Sequence, residues 1–143
     1  VQRVSMLSPC SVMIARETPG RDGYLICHDG SEHSMEAVQR TAILAQHCSK
    51  TITLMGVARV NEDRDLVKAQ LESACAHLDR VGITTEAPIC DIGNPVQRIL
   101  EIGKHFELTT VSEYGTSRLR RLFGGSVAFE VLGAATSSVL DVK

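Results

Sequence analysis

An alternation limits what this chain can fold into. Short apolar runs rich in β-branched residues take turns with longer stretches whose apolar residues recur every three to four positions. The runs Tyr24-Leu-Ile-Cys-His28, Thr51-Ile-Thr-Leu-Met-Gly-Val57, residues 83–90 and Leu108-Thr-Thr-Val111 read as buried strands. Met35, Val38, Ala42 and Ala45 mark a first helix. Val67, Leu71, Ala74, Leu78 and Val81 mark a second, and Val96, Ile99, Leu100 and Phe106 a third. A loop over 112–125, a short helix over 126–132 and a strand over 138–142 complete the cycle. Strands separated by helices pair in parallel, with right-handed crossovers. The expected architecture is therefore α/β: a doubly wound, open, parallel, Rossmann-like sheet with helices on both faces. Counting the Tyr24 run as strand 1, its order is 3-2-1-4-5. Ligands of such sheets bind at the carboxyl ends of the strands, where the winding reverses. That point falls between strands 1 and 4, beside Asp29-Gly30-Ser31 and residues 112–115.

Local signals agree with this frame. Ser31 or Ser34 suits the N-cap of the first helix, and Gly82 the C-cap of the second. Asp91-Ile-Gly-Asn-Pro95 reads as a turn with Pro95 in the first turn of the third helix. Pro88 argues that the 83–90 strand lies at an edge. Residues 1–16 stand outside the cycle. Val12-Met-Ile-Ala15 reads as an extra strand, and residues 4–16 share a pattern of apolar, small and basic types with residues 131–143, with Val4/Val131, Ser11/Ser138 and Val12/Val139 identical. The expected organisation is an opening strand over 1–16 resembling the end of a preceding repeat, a linker over 17–22 and a main domain over 23–143. The absence of an initiator Met fits a segment of a longer chain.

Composition narrows the function. With 43% hydrophobic and 22% charged residues, the 143-residue chain supports one folded domain. A net charge of −2 supplies no field for nucleic acid, and 3% aromatics supply no base-stacking platform. No run of 18 apolar residues is present, and Val1-Gln2-Arg3 does not open a signal peptide, so no membrane association is expected. The five cysteines are odd in number and widely spaced, with no C-x-x-C. They read as reduced thiols of a cytoplasmic protein.

The stretch Gly115-Thr-Ser-Arg-Leu-Arg-Arg-Leu-Phe-Gly-Gly-Ser126 carries the chemistry. A glycine follows strand 4, and Gly125-Ser126 opens a helix, whose first N–H groups lack internal partners and attract phosphate. Arg118, Arg120 and Arg121 can add charge. The same residues equally describe a glycine loop, a capped helix and solvated arginines, and spacing alone does not choose. Neither a P-loop nor a G-x-G-x-x-G follows the first strand. Asp29, at the switch point, can accept hydrogen bonds from a base or ribose, or close an Asx-turn.

Taken together, Tyr24-Leu-Ile-Cys-His-Asp-Gly-Ser-Glu32, Gly93-Asn94-Pro95 and Gly115-(nine residues)-Gly125-Ser126-Val127-Ala128 resemble the universal stress protein family over about residues 23–143. The segment 8–16 resembles the closing strand of another member. The resemblance implies a homodimer, or pairing with another universal stress domain, through the last strand. Many members bind ATP through G-x-x-G-(nine)-G-[ST]; others lack motif and nucleotide. Here Ser112 replaces the first glycine, which adds a Cβ and restricts the turn. By carry-over, Asp29 and the backbone near Val57 would face the adenosine, and Ser112, Gly115, Gly125, Ser126 and Val127 the phosphates. The implied ligand is ATP, with or without Mg²⁺. Glu113 would repel polyphosphate unless a metal or arginine intervenes.

Other clusters point to no chemistry. His28 and Asp29 face opposite sides of a strand, which is poor geometry for a metal site with His33. Neither His47-Cys48 nor Cys75-Ala-His77 shares a helical face. No nucleophile elbow or general base is assigned, so no catalytic residue is named, enzymatic activity is not expected, and slow ATP hydrolysis is the upper limit. The functional expectation is a stress-responsive regulatory domain binding an adenine nucleotide. The alternative is an interaction module of the same fold that binds none. An ATP-activating enzyme is disfavoured, because the loop after strand 1 is only Asp-Gly-Ser.

Overall fold

The computed structural model describes residues 2–112 and 127–143. Its elements are α1 (Gln2–Leu7), β1 (Val12–Ile14), β2 (Tyr24–Cys27), α2 (Glu32–His47), β3 (Ile52–Ala58), α3 (Arg64–Arg80), β4 (Ile89–Ile92), α4 (Pro95–Gly103), β5 (Leu108–Ser112), α5 (Val127–Ala134) and β6 (Ser138–Val142). The sheet order is β1-β6-β5-β2-β3-β4. Five parallel strands, β2 to β6, stand in the expected doubly wound order. The sheet differs by a sixth strand: β1 pairs antiparallel with β6, Val12 opposite Asp141 and Ile14 opposite Val139.

Both faces of the sheet are covered. On one, Ile26, Leu54 and Leu108 pack with Val38, Ala42 and Ala45 of α2 and Leu71, Ala74 and Leu78 of α3. On the other, Leu25, Met55, Val111 and Val139 pack with Ile99 of α4 and Val131 and Leu132 of α5. The alternation along each strand sends neighbouring residues to opposite cores. Gly56 lets α3 settle close to β3. A Cβ there would stand 2.8 Å from Val67 Cγ1 and 3.3 Å from the His28 carbonyl. Buried threonines are satisfied across the layers, with Thr41 Oγ1 donating to Thr110 Oγ1 at 3.2 Å.

Three local expectations change. Residues 83–88 are not a strand; pairing begins only at Ile89, and Asp91 and Ile92 belong to β4 rather than to the turn. The Glu86 N–H already donates to the Ile52 carbonyl at 2.8 Å, but Pro88 has no N–H to continue a ladder, and strand pairing starts after it. Val81 is not part of the buried stripe, since α3 ends at Arg80 and the side chain is 61% exposed. The first strand ends at Cys27, although the His28 N–H still donates to the Met55 carbonyl of β3 at 2.8 Å.

The opening segment is fixed to the far edge. Arg16 donates from Nη1 to the Ser137 carbonyl and from Nη2 to the Leu132 carbonyl, both at 3.0 Å, and so caps the end of α5. Gln2 Nε2 donates to the Phe129 carbonyl at 3.0 Å. Ser5 Oγ donates to Asp141 Oδ2 at 2.5 Å, and Lys143 Nζ lies 3.2 Å from the same oxygen. Burial raises the Asp141 pKa and lowers that of Lys143, whereas their short separation favours the charged pair; burial prevails in both.

Candidate functional site

At the carboxyl ends of β2, β3 and β5 lies a cleft of about 430 Å³. Asp29, Val57, Ser112 and Val127, drawn from four separate stretches of sequence, all line it. Gly115, Gly125 and Ser126 lie outside the described residues. The cleft is where the winding reverses. β2 pairs with β3 on one side and β5 on the other, and α4 and α5 cross in front through Pro95, Ile99 and Ala128.

The β2–α2 turn builds one wall. Asp29 Oδ1 accepts the Ser31 N–H at 2.9 Å, closing an Asx-turn, and Oδ2 has no partner among the described residues. The carboxylate therefore serves the turn and still presents an acceptor. Gly30 follows at φ +84°, a conformation that favours glycine. Ser31 then caps α2, accepting the Ser34 N–H at 3.1 Å. Ser34 Oγ lies 2.8 Å from His28 Nδ1. His28 is buried, and burial lowers its pKa, with Asp29 opposing; the ring is neutral at pH 7. Cys27 also lines the cleft; burial and then the Asp29 charge push its thiol up to about 12, which favours the protonated form.

The β3 wall was less legible. Met55 and Val57 alternate onto one face of β3, and Arg59, just past its end, lines the cleft with them. The same period-2 pattern would have found Arg59 in the sequence. Gln70 and Val67 enter from α3, Pro95 and Ile99 from α4, and only the tertiary packing brings them there. Pro95 occupies the first turn of α4 behind the cap Asn94, whose Oδ1 accepts the Gln97 N–H at 3.2 Å.

The lining combines hydrogen-bonding groups (Asp29, Ser34, Gln70, Ser112) with apolar surface (Val57, Ile99, Val111, Val127). Among the described residues no group of three or more His, Cys, Asp or Glu side chains could hold a metal. No described helix is long and apolar enough to cross a membrane. All five cysteines are free thiols.

The domain is a layered, doubly wound α/β fold, and its cleft stands at the topological switch point of the sheet. Solved structures define the fold further. A universal stress protein in complex with cAMP is 24% identical, with a TM-score of 0.68 over 85% of this chain and 96% of that one. A universal stress protein from Archaeoglobus fulgidus in complex with dAMP is 16% identical, with a TM-score of 0.64 over 85% and 98%. Another from Archaeoglobus fulgidus is 17% identical, with a TM-score of 0.71 over 99% of this chain but 56% of its own length. The chain has the universal stress protein fold. No protein-family model and no curated protein matches the sequence.

Proposed function

We propose that the chain is a regulatory domain of the universal stress type that binds an adenine nucleotide, ATP, across the ends of β2, β3 and β5. One observation carries the reading: Asp29, Val57, Ser112 and Val127 line a single cleft. Neighbours of the same fold in complex with cAMP and with dAMP support it. In this reading Asp29 Oδ2 accepts from the ribose or base, and the backbone near Val57 faces the adenine. Ser112 and Val127 face the phosphates, with Gly115, Gly125 and Ser126. Mg²⁺, if it accompanies ATP, neutralises phosphate charge beside the carboxylates.

In this reading no described lining residue is assigned as a base: His28 Nδ1 is engaged by Ser34, Asp29 Oδ1 by the turn with Oδ2 given to the nucleoside, and Glu62 Oε2 accepts the Arg59 N–H. Hydrolysis is therefore slow, and occupancy rather than turnover is the output. The free thiols support a reducing, cytoplasmic setting.

A second reading is favoured by the β1–β6 ladder. In it the chain pairs with another universal stress domain through its last strand, and residues 1–16 are the tail of a preceding unit. Two neighbours about twice as long, each aligned over 99% of this chain, support it. In a module built only for pairing, Ser112 would mark a site without nucleotide.

Calorimetric titration of ATP with Mg²⁺ separates the two. Saturable binding by the native chain, lost in Gly125→Val and weakened in Asp29→Ala, supports the nucleotide reading. No heat at millimolar ATP overturns it in favour of pairing alone.

A further inference from the structure

The cleft contains a cation that the nucleotide reading leaves unused. Arg59 is the only Lys or Arg among the described residues that line it. It stands just past the end of β3, two positions after Val57, and is half-buried. Its backbone is fixed by a reciprocal turn. The Arg59 N–H donates to Glu62 Oε2 at 2.9 Å, and the Glu62 N–H donates to the Arg59 carbonyl at 2.9 Å. The nearest carboxylate in sequence is thus held by main chain, and the guanidinium has no hydrogen bond or ion pair among the described residues.

We infer that Arg59 is a specificity-determining residue of the cleft, whose guanidinium plane lies over the face of a bound purine. The inference rests on the nucleotide reading above and goes beyond it. A ligand with its phosphates toward Val127 and its sugar at Asp29 has its base at Val57, and the next lining side chain past it is Arg59. Among the described residues that line the cleft there is no Phe, Tyr or Trp; Val57, Pro95 and Ile99 offer aliphatic surface, and the one ring, His28, is buried and engaged by Ser34. A planar guanidinium stacks on π-faces and is weakly hydrated, so it can cover a base while its edges stay in water. Lysine, a strongly hydrated point charge, cannot reproduce that contact.

The test compares adenosine with ATP. Both are titrated into the native chain, Arg59→Ala and Arg59→Lys, with melting curves to show that each variant is folded. Stacking predicts that Arg59→Ala weakens adenosine and ATP by the same factor, about 3- to 30-fold, and that Arg59→Lys restores little of it. Loss confined to ATP, with adenosine unchanged, overturns the inference and assigns the guanidinium to phosphate. Unchanged binding of both ligands overturns it and leaves the nucleotide reading standing. A native chain that binds neither ligand overturns both.

Discussion

Gly56→Ala tests how the sheet and α3 fit together. Gly56 lies between two residues of β3 that line the cleft, Met55 and Val57. An added Cβ would stand 2.8 Å from Val67 Cγ1, 3.2 Å from Leu71 Cδ1 and 3.3 Å from the His28 carbonyl. The first distance is shorter than a real Cβ contact tolerates, the third is to main chain, and Leu71 is fully buried. Either α3 moves outward or side chains leave their rotamers, and overpacking of this kind costs about 1–3 kcal/mol. At about 2–4 °C per kcal/mol for a chain near this size, the melting temperature falls by roughly 3–10 °C. Val67→Ala removes the closest atom, and alone it costs about 1 kcal/mol as a half-buried valine. In Gly56→Ala/Val67→Ala the Cβ fills part of the space vacated, so the double variant loses less than the sum of the two single losses, with a coupling of about 1 kcal/mol. Thermal and urea unfolding of the four proteins measures the cycle. A Gly56→Ala protein as stable as the native chain, or strictly additive losses, would refute the close approach of α3 to β3.

Three further outcomes follow from the same geometry. Burial lowers the His28 pKa below 6.5, so between that value and the folded one the unfolded chain binds more protons; stability falls as pH drops below about 6.5, and His28→Gln should flatten the decline between pH 7 and 5 in melting curves. The Asp22 and Asp91 carboxyls, both lowered, lose their contributions only below about 3.8, so the windows are separate. Ser31→Ala removes the α2 cap and should cost about 1 kcal/mol in chemical denaturation, with Ser31→Asp recovering most of it. Deleting residues 1–16 uncovers the β6 edge and the buried Asp141, and sedimentation should show more self-association than in the full chain; an unchanged mass would argue against that edge as a pairing surface.

Legibility divided along physical lines. The strands at Tyr24, Thr51 and Leu108 could be read because both faces of each are buried, which forces continuous apolar runs. Asp29 and Ser31 could be read because a strand followed by Asp-Gly-Ser leaves few turn conformations. Helix α1 was not read: six residues carry too little periodicity, and Gln2 and Ser5 are placed by contacts with Phe129 and Asp141 more than 120 positions away. Residues 83–88 look strand-like, but Pro88 delays pairing until Ile89. Arg59 and Gln70 reach the cleft from the end of β3 and from α3, and the inventory of nucleotide motifs does not include them.

The most direct measurement is an amide NMR titration with ATP, which locates the ligand as well as detecting it. Saturable shifts centred on Asp29, Val57, Ser112 and Val127, with β1 and α1 unmoved, are the predicted pattern. Shifts confined to the α2–α3 groove around His77, or none at millimolar ATP, would contradict a nucleotide site at the strand ends.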